Sequence, residues 1–281
     1  MTTLVNQTPP RAFNALKLWL QEHYTSLPKR LQSVAVFALH NPDIIALNTI
    51  ALISEKVDVT PSTLVRFAKS IGYAGFSDMQ TVFQESMRHI PEPYTQRLHQ
   101  LTDEDQSEST VLKRFIRAAS ISLDRLEEQT DDIALLQASE ALGKARTIYI
   151  AGQGRATPVT TYLHYNFIKM GIQAVLIDGV AGSMGDKASL IRQDEALVAI
   201  SFNPYTANTR ELVDACLAKR VPVVALTDST LSPIVRTDDL HLEVLEEEVG
   251  GIRGLSATIC LALCLAVETG KYRSQNNPVL P

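Results

Sequence analysis

The stretch TIALISEKVDVTPSTLVRFAKSIG, running from Thr49 to Gly72, reads as two short helices joined by a tight turn. Thr49 to Glu55 is the first helix and Lys56 to Val59 the turn. Thr60 then opens the second helix with a hydroxyl at the N-cap, and Pro61 sits at N1, where its missing N–H costs nothing. Leu64, Phe67, Ala68 and Ile71 recur at i, i+3, i+4 and i+7, a stripe made for burial, and Gly72 is the stop. The other face carries Ser62, Thr63, Arg66 and Lys69. In a helix-turn-helix the second helix enters the major groove with its N-terminal residues at base edges, and this face offers short hydroxyls first and long cations behind. Thr60, Ser62, Thr63, Arg66 and Lys69 are thus the candidate DNA contacts. A bundle with a solvated polar face would show the same spacing, so that reading stays open here.

Working outward, residues 12–87 keep a helical period in blocks separated by Pro28, the pair Asn41-Pro42, Asp58 to Pro61, and Gly72 to Gly75. This predicts a compact all-helical domain over residues 1–90. After Pro91 and Pro93 comes LTDEDQSEST, acidic and poor in apolar residues, so residues 91–110 read as a linker. The second domain spans 111–281, with its core at about 130–270. It opens with a long amphipathic helix, Val111 to Glu128, whose apolar stripe could also serve as a dimer contact.

From Thr147 the grammar changes. TIYIAG, AVLID, ALVAISF, VPVVALTD and LHLEVLE are short runs rich in Val, Ile and Leu, and the first four lack hydrophobic-polar alternation. Strands of that kind are covered on both faces. Helical stretches lie between them at Pro158 to Met170, around Gly182 to Ile191 and at Ala207 to Lys219, with a last helix from about Leu255 to Glu268. The series predicts a five-stranded parallel sheet flanked by helices.

Charge and composition narrow the function. The 281 residues carry 26 Lys+Arg and 31 Asp+Glu, a net charge of −5, with 45% hydrophobic residues. Residues 1–90 hold eight basic and six acidic side chains, a balance of +2, which leaves −7 on the rest. A head this weakly basic neutralises few phosphates by itself, so two heads acting together are expected. No run approaches the roughly 20 apolar residues of a membrane span, and the start MTTLVNQTPP lacks the basic-then-apolar pattern of a signal peptide; a cytoplasmic protein with no membrane partner is expected. Cys216, Cys260 and Cys264 include no CxxC pair, so buried, inert thiols are expected, with no disulfide framework, metal site or cofactor.

Two strand ends carry the second candidate site. The first strand runs into Gly152-Gln153-Gly154-Arg155-Ala156-Thr157-Pro158 before a helix, and glycines at such a turn let backbone amides approach an anion. A dinucleotide fingerprint with Asp178 as ribose ligand is the weaker alternative, since Thr157-Pro158 replaces the third glycine. The third strand ends in Ser201-Phe202-Asn203-Pro204-Tyr205-Thr206, where hydroxyls and an amide can meet the acceptor oxygens of a phosphate. Thr227-Asp228-Ser229-Thr230-Leu231-Ser232-Pro233 adds hydroxyls near the same edge.

With VTPSTLVRFAKSIGYAGFSDMQ in the head, GQGRA after strand one, SFNPYT after strand three and VPVVALTDSTLSPI near strand four, the chain resembles the RpiR/MurR family of bacterial transcriptional regulators. The resemblance covers most of the chain. It implies an N-terminal helix-turn-helix joined to a C-terminal SIS (sugar isomerase) domain, and DNA affinity set by a phosphorylated sugar or related metabolite, with repression of a carbohydrate-catabolism operon. It implies effector contacts at Gly152, Gln153, Gly154, Arg155, Thr157, Ser201, Asn203 and Thr206. Two departures stand out: Asn203 replaces a common serine, and Ala156 stands where serine is usual, so Arg155 or Thr157 would have to compensate. The partners implied are double-stranded operator DNA, a phosphosugar effector and a second copy of the chain, as homodimer or homotetramer. The rival is a sugar-phosphate aldose/ketose isomerase. It needs a general base, for which Glu246, Glu247 and Glu248 are candidates, and commonly a histidine, yet none follows His241. The triplet reads more simply as a solvated edge, and no catalytic residue is assigned.

Overall fold

The computed structural model describes residues 8–88, 98, 110–179, 184–236 and 240–276. The chain divides into two compact units, Met1–Gln96 and Arg97–Pro281. The predicted linker lies almost wholly outside the described residues.

The N-terminal unit is all helical: α1 (Phe13–His23), α2 (Lys29–His40), α3 (Pro42–Leu47), α4 (Ile50–Val57), α5 (Pro61–Ser70) and α6 (Phe76–Arg88). Its core is built from Leu16, Leu20, Val34, Ile45, Ile53, Leu64, Phe67, Met79 and Phe83, all without solvent exposure. Phe13 meets Phe83 edge to face at 5.3 Å. Gln80 satisfies two carbonyls at the end of α3, donating to Ile45 O and Asn48 O at 2.9 Å each. The α4–α5 turn follows from local chemistry. Thr49 caps α4 by accepting from the Leu52 N–H, and Asp58 ends it in the left-handed region at φ 56°, a conformation Asp tolerates better than most residues. Helix α4 reaches Val57, so the turn is shorter than the sequence reading has it. Tyr73 closes over the N-terminal side, its hydroxyl donating to Pro10 O, and burial pushes that phenol up to about 12.

The C-terminal unit begins with α7 (Val111–Gln129) and α8 (Asp132–Lys144). The strands are β1 (Ile148–Ala151), β2 (Ala174–Ile177), β3 (Ala196–Ser201), β4 (Val223–Thr227) and β5 (Leu240–Glu243), all parallel, in the order β2-β1-β3-β4-β5. Helices α9 (Thr157–Lys169), α10 (Met184–Leu190), α11 (Ala207–Ala218) and α12 (Ser256–Asn276) complete the unit. Every residue of β3 and β4 is buried, which is why those runs show no alternation. Alternate residues nonetheless enter different cores. Ile148, Ile150, Val198, Ile200, Val224 and Leu226 pack with Leu142 of α8, Val159 and Leu163 of α9, and Leu261 and Leu265 of α12. Leu197, Ala199, Val223 and Ala225 pack with Ala188 of α10 and Leu212, Val213 and Cys216 of α11.

Some elements were not foreseen. The sequence reading has no counterpart to α8, whose turn of Asp131 accepts from the Ile133 N–H and which buries Ala138, Ser139, Leu142 and Gly143. Exposed Ile133 and Leu136 spread apolar residues around the helix and blur the stripe that Leu135 and Leu142 belong to. A two-stranded antiparallel hairpin, β6 (Glu248–Val249) and β7 (Ile252–Arg253), turns on Gly250 and Gly251, both at positive φ. Helix α12 runs eight residues past the predicted end at Glu268, to Asn276. Cys216 is buried, and its thiol is pushed up to about 11 by that burial, but Cys260 is half-buried and Cys264 exposed. The expectation of three buried thiols fails because α12 turns residues 260 and 264 towards its outer edge.

Candidate functional site

In the N-terminal unit, the stripe Leu64, Phe67, Ala68 and Ile71 is buried as the spacing requires, and α5 presents Ser62, Arg66 and Lys69 to solvent. Neither Arg66 nor Lys69 forms an ion pair with another described residue. Their charges are therefore available to phosphates or base edges. Thr63 is a correction: it is 2% exposed, because position 63 precedes Leu64 on the inner edge of the helix. Its hydroxyl lies 3.0 Å from Thr60 Oγ1, which also meets Ser62 Oγ at 2.9 Å. Thr60 thus does not cap the helix with its side chain; it ties the three hydroxyls together at the start of α5.

In the C-terminal unit the topology locates the crevice. The chain leaves β1 towards β2 on one side and leaves β3 towards β4 on the other, so β1 and β3 flank the point where the strand order reverses. Open α/β sheets bind ligands outside the carboxyl ends of strands at such a point. The loops starting at Gly152 and at Phe202 both leave from there. Gly152 brings them together: a Cβ on it would fall 2.8 Å from Ile200 O and 2.9 Å from Thr160 Cγ2. Gly154 follows at φ 58°, at the start of a tight turn into α9.

A cavity of about 230 Å³ opens beside this loop, lined by Gly152, Gln153, Gly154, Thr157, Thr160, Thr161, Leu176, Ile177 and Asp178. Four of the expected effector residues belong to it: Gly152, Gln153, Gly154 and Thr157. Asp178 lies at its rim, paired with Lys187 at 2.9 Å. A second cavity of about 180 Å³ shares Gln153 and adds Gly179, Met184, Gly185, Asn208, Glu211 and Leu212. Asn208 Nδ2 reaches Gln153 Oε1 at 3.4 Å, so that glutamine stands between the two spaces.

The remaining expected residues sit elsewhere. Ser201 is 4% exposed at the end of β3. Thr206 Oγ1 is 2.7 Å from Thr209 Oγ1, inside the first turn of α11. The main-chain N–H of Asn203 donates to Asp228 Oδ2 at 3.1 Å, and its carbonyl accepts from Arg253 Nη1 at 3.1 Å. Arg155 does not project into the cavity; its guanidinium lies 4.7 Å over the Phe202 ring and donates to Gly254 O at 3.3 Å. Ala156 packs into the core at 2% exposure, so no hydroxyl is offered at that position.

The acidic triplet is corrected in part: Glu248 is exposed and Glu247 partly so, as a solvated edge requires, but each carboxylate also has a specific partner. Glu246 accepts from the N–H and hydroxyl of Thr258 at 2.8 Å each, fastening the start of α12. Glu247 pairs with Arg125 at 2.6 Å, and Glu248 with Arg253. None of the three faces the crevice unengaged. Asp228, Tyr205 and Arg253 are what sequence reasoning missed. Asp228 lies in a turn whose hydroxyls were noticed and whose carboxylate was not, and Arg253 is 50 residues from its partner Asn203 with no motif to announce it.

Among the described residues no helix is long and apolar enough to cross a membrane. Residues 14–89 match the family described as helix-turn-helix domain, rpiR family, and residues 141–268 match the SIS domain family. An uncharacterised HTH-type transcriptional regulator of Clostridium perfringens is 22% identical over 73% of this chain and 73% of its own. A second, from Haemophilus influenzae, is 25% identical over 78% of this chain and 76% of its own. The bifunctional protein glk of Burkholderia orbicola is 26% identical over 88% of this chain, which spans 38% of that protein. Of solved structures, Vibrio vulnificus NanR, complexed with ManNAc-6P, covers 93% of this chain and 92% of its own at TM-score 0.52 and 22% identity. The sugar isomerase domain of the RpiR transcription factor from Sphaerobacter thermophilus covers 60% of this chain at TM-score 0.56 and 21% identity. These likenesses establish the fold of the two units.

Proposed function

The chain belongs to the rpiR family, with an rpiR helix-turn-helix domain followed by a SIS domain, and on that premise we propose that it is a DNA-binding transcriptional regulator controlled by a phosphorylated sugar or related metabolite. The observation that carries the proposal is the pairing, in one chain, of an α5 face with free cations and a crevice at the switch point of a parallel sheet. The head reads double-stranded operator DNA with Ser62, Arg66 and Lys69, and Thr60 orders the hydroxyls at the helix start. Effector binds beside Gly152, Gln153, Gly154 and Thr157, with Ser201, Asn203, Arg155 and Thr206 shaping the facing loop. Likeness to NanR, solved with ManNAc-6P, supports a phosphosugar as the ligand class. Repression of a carbohydrate-catabolism operon is the sign we assign.

A head of net charge +2 binds phosphates weakly, which supports a homodimer or homotetramer as the active species. Exposed apolar side chains on α7, with Leu112 at 69% and Ile116 at 54%, are the surface we assign to that association. The three glutamates of the triplet are engaged in structural pairs, and this favours regulation over isomerisation. Thermal shift of the purified protein with a panel of sugar phosphates, coupled to fluorescence anisotropy on DNA upstream of its own gene, tests the reading. Stabilisation by one compound that also alters DNA affinity is expected; a ligand at 100 times its Kd adds about 2.7 kcal/mol. Turnover between aldose and ketose phosphates would overturn it.

A further inference from the structure

Asp228 follows β4 and is 7% exposed. Its two carboxylate oxygens divide the donors of the facing loop: Oδ2 accepts the Asn203 N–H at 3.1 Å, and Oδ1 accepts the Tyr205 hydroxyl at 2.8 Å. Burial, then the charge of Asp228, push the Tyr205 hydroxyl above the usual phenol range, so it remains a donor. An internal carboxylate therefore already holds donors that an incoming anion would want.

Arg253 grips the same loop from the other side. Its Nη1 donates to Asn203 O at 3.1 Å and lies 3.7 Å from Asp228 Oδ2, while its Nε donates to Glu248 across the β6–β7 hairpin. The far side of that hairpin is fastened to α7. Val249 and Ile252 pack with Ala118 and Phe115, and Glu247 both pairs with Arg125 and donates its N–H to Ser122 Oγ at 2.9 Å. Ser122 is 1% exposed. One small hairpin thus touches the effector loop at one end and α7, the first described helix after the joining segment, at the other.

We propose that Asp228 and Arg253 form a latch between the 201–206 loop and the β6–β7 hairpin, opened when an anion competes for the Asn203 N–H and the Arg253 guanidinium, and that the hairpin passes this change to α7. A second anion cannot share those donors with Asp228 without like-charge repulsion, and a guanidinium with five donors exchanges one acceptor for another at little geometric cost. The identity of the trigger rests on the effector reading above. The mechanical link does not, and it can be tested without any ligand.

Hydrogen exchange of the full chain supplies that test. In ligand-free protein, Asp228→Asn and Arg253→Gln are each expected to speed exchange about fivefold or more in both the 201–206 and the 118–126 segments. Arg236→Gln, which breaks an ion pair to Asp214 away from the hairpin, is expected to leave 118–126 at the wild-type rate. A change confined to the substituted segment overturns the latch, as does an equal response to Arg236→Gln. If neither latch variant folds, wild-type protein is titrated with inorganic phosphate: parallel loosening of the two segments supports the latch, and binding by thermal shift with 118–126 unchanged overturns it. Variants that loosen both segments in a protein that phosphate does not stabilise uphold the latch and count against the effector reading instead.

Discussion

The two candidate sites are built on opposite plans. On α5 the long side chains stand clear of other charges, and the helix is held by the apolar stripe beneath them and the hydroxyl cluster at its start. In the loops after β1 and β3 several polar groups are already engaged: the Asn203 N–H and the Tyr205 hydroxyl with Asp228, Thr206 with Thr209, and Arg155 with Phe202 and Gly254. A nucleic acid is met from solvent by mobile cations that release counterions, which needs reach more than placement. A small anion is met by preset donors, and those donors have to be satisfied before the ligand arrives, because a buried unpaired donor is costly.

This contrast can be broken by substitution. The largest effect is expected from Gly152→Val. The added carbons meet Ile200 O and Thr160 Cγ2 well inside contact distance, so the C-terminal unit should lose several kcal/mol of stability, at or above the usual range of about 1–3 for overpacking. Calorimetry should show that unit melting many degrees lower while the transition of the helical unit stays put; coincident shifts would mean the units are not independent. Arg66→Ala comes next, with a loss of about 1–3 kcal/mol in operator affinity, roughly 5- to 150-fold, at unchanged circular dichroism. An unaltered gel-shift titration would remove Arg66 from the contact face.

Thr206→Val isolates the preset loop. It leaves the Thr209 hydroxyl, in a residue with no solvent exposure, without its partner, at a cost of about 1–3 kcal/mol, and should abolish the effector's influence on DNA binding while sparing DNA binding itself. A variant that responded normally would detach this loop from the effector. The smallest effect is that of Lys69→Ala, which should lower the slope of log affinity against log salt by about 1 and weaken all DNA sequences alike. A sequence-dependent loss would instead place Lys69 at a base edge.

Much of the fold was open to reading in one dimension. The stripe Leu64, Phe67, Ala68, Ile71 and the five unalternating strand runs each carry their own period, and period alone says which side of an element is covered. Gly152 and Gly154 were found because strand-to-helix turns at an anion site favour glycine. What escaped had no clear local period. Helix α8 carries apolar Ile133 and Leu136 on its exposed side as well as Leu135 and Leu142 on the core side, the β6–β7 hairpin has strands of two residues each, and Thr63 lies at the edge of its stripe, where one step around the helix separates solvent from core.

The sequence by itself determined the two domain types, the two candidate loops and the cationic face of α5, since each depends on residues within a dozen positions of one another. Only the tertiary structure decided that Asp228 and Arg253 meet at Asn203, that Glu246, Glu247 and Glu248 are structural, and that Arg155 lies over Phe202. Apart from Glu248 with Arg253, five positions on, those pairings join residues 12 to 122 positions apart. A parallel sheet brings distant strand ends to one edge, and partners chosen by that closure leave no spacing in the chain for a reader to find.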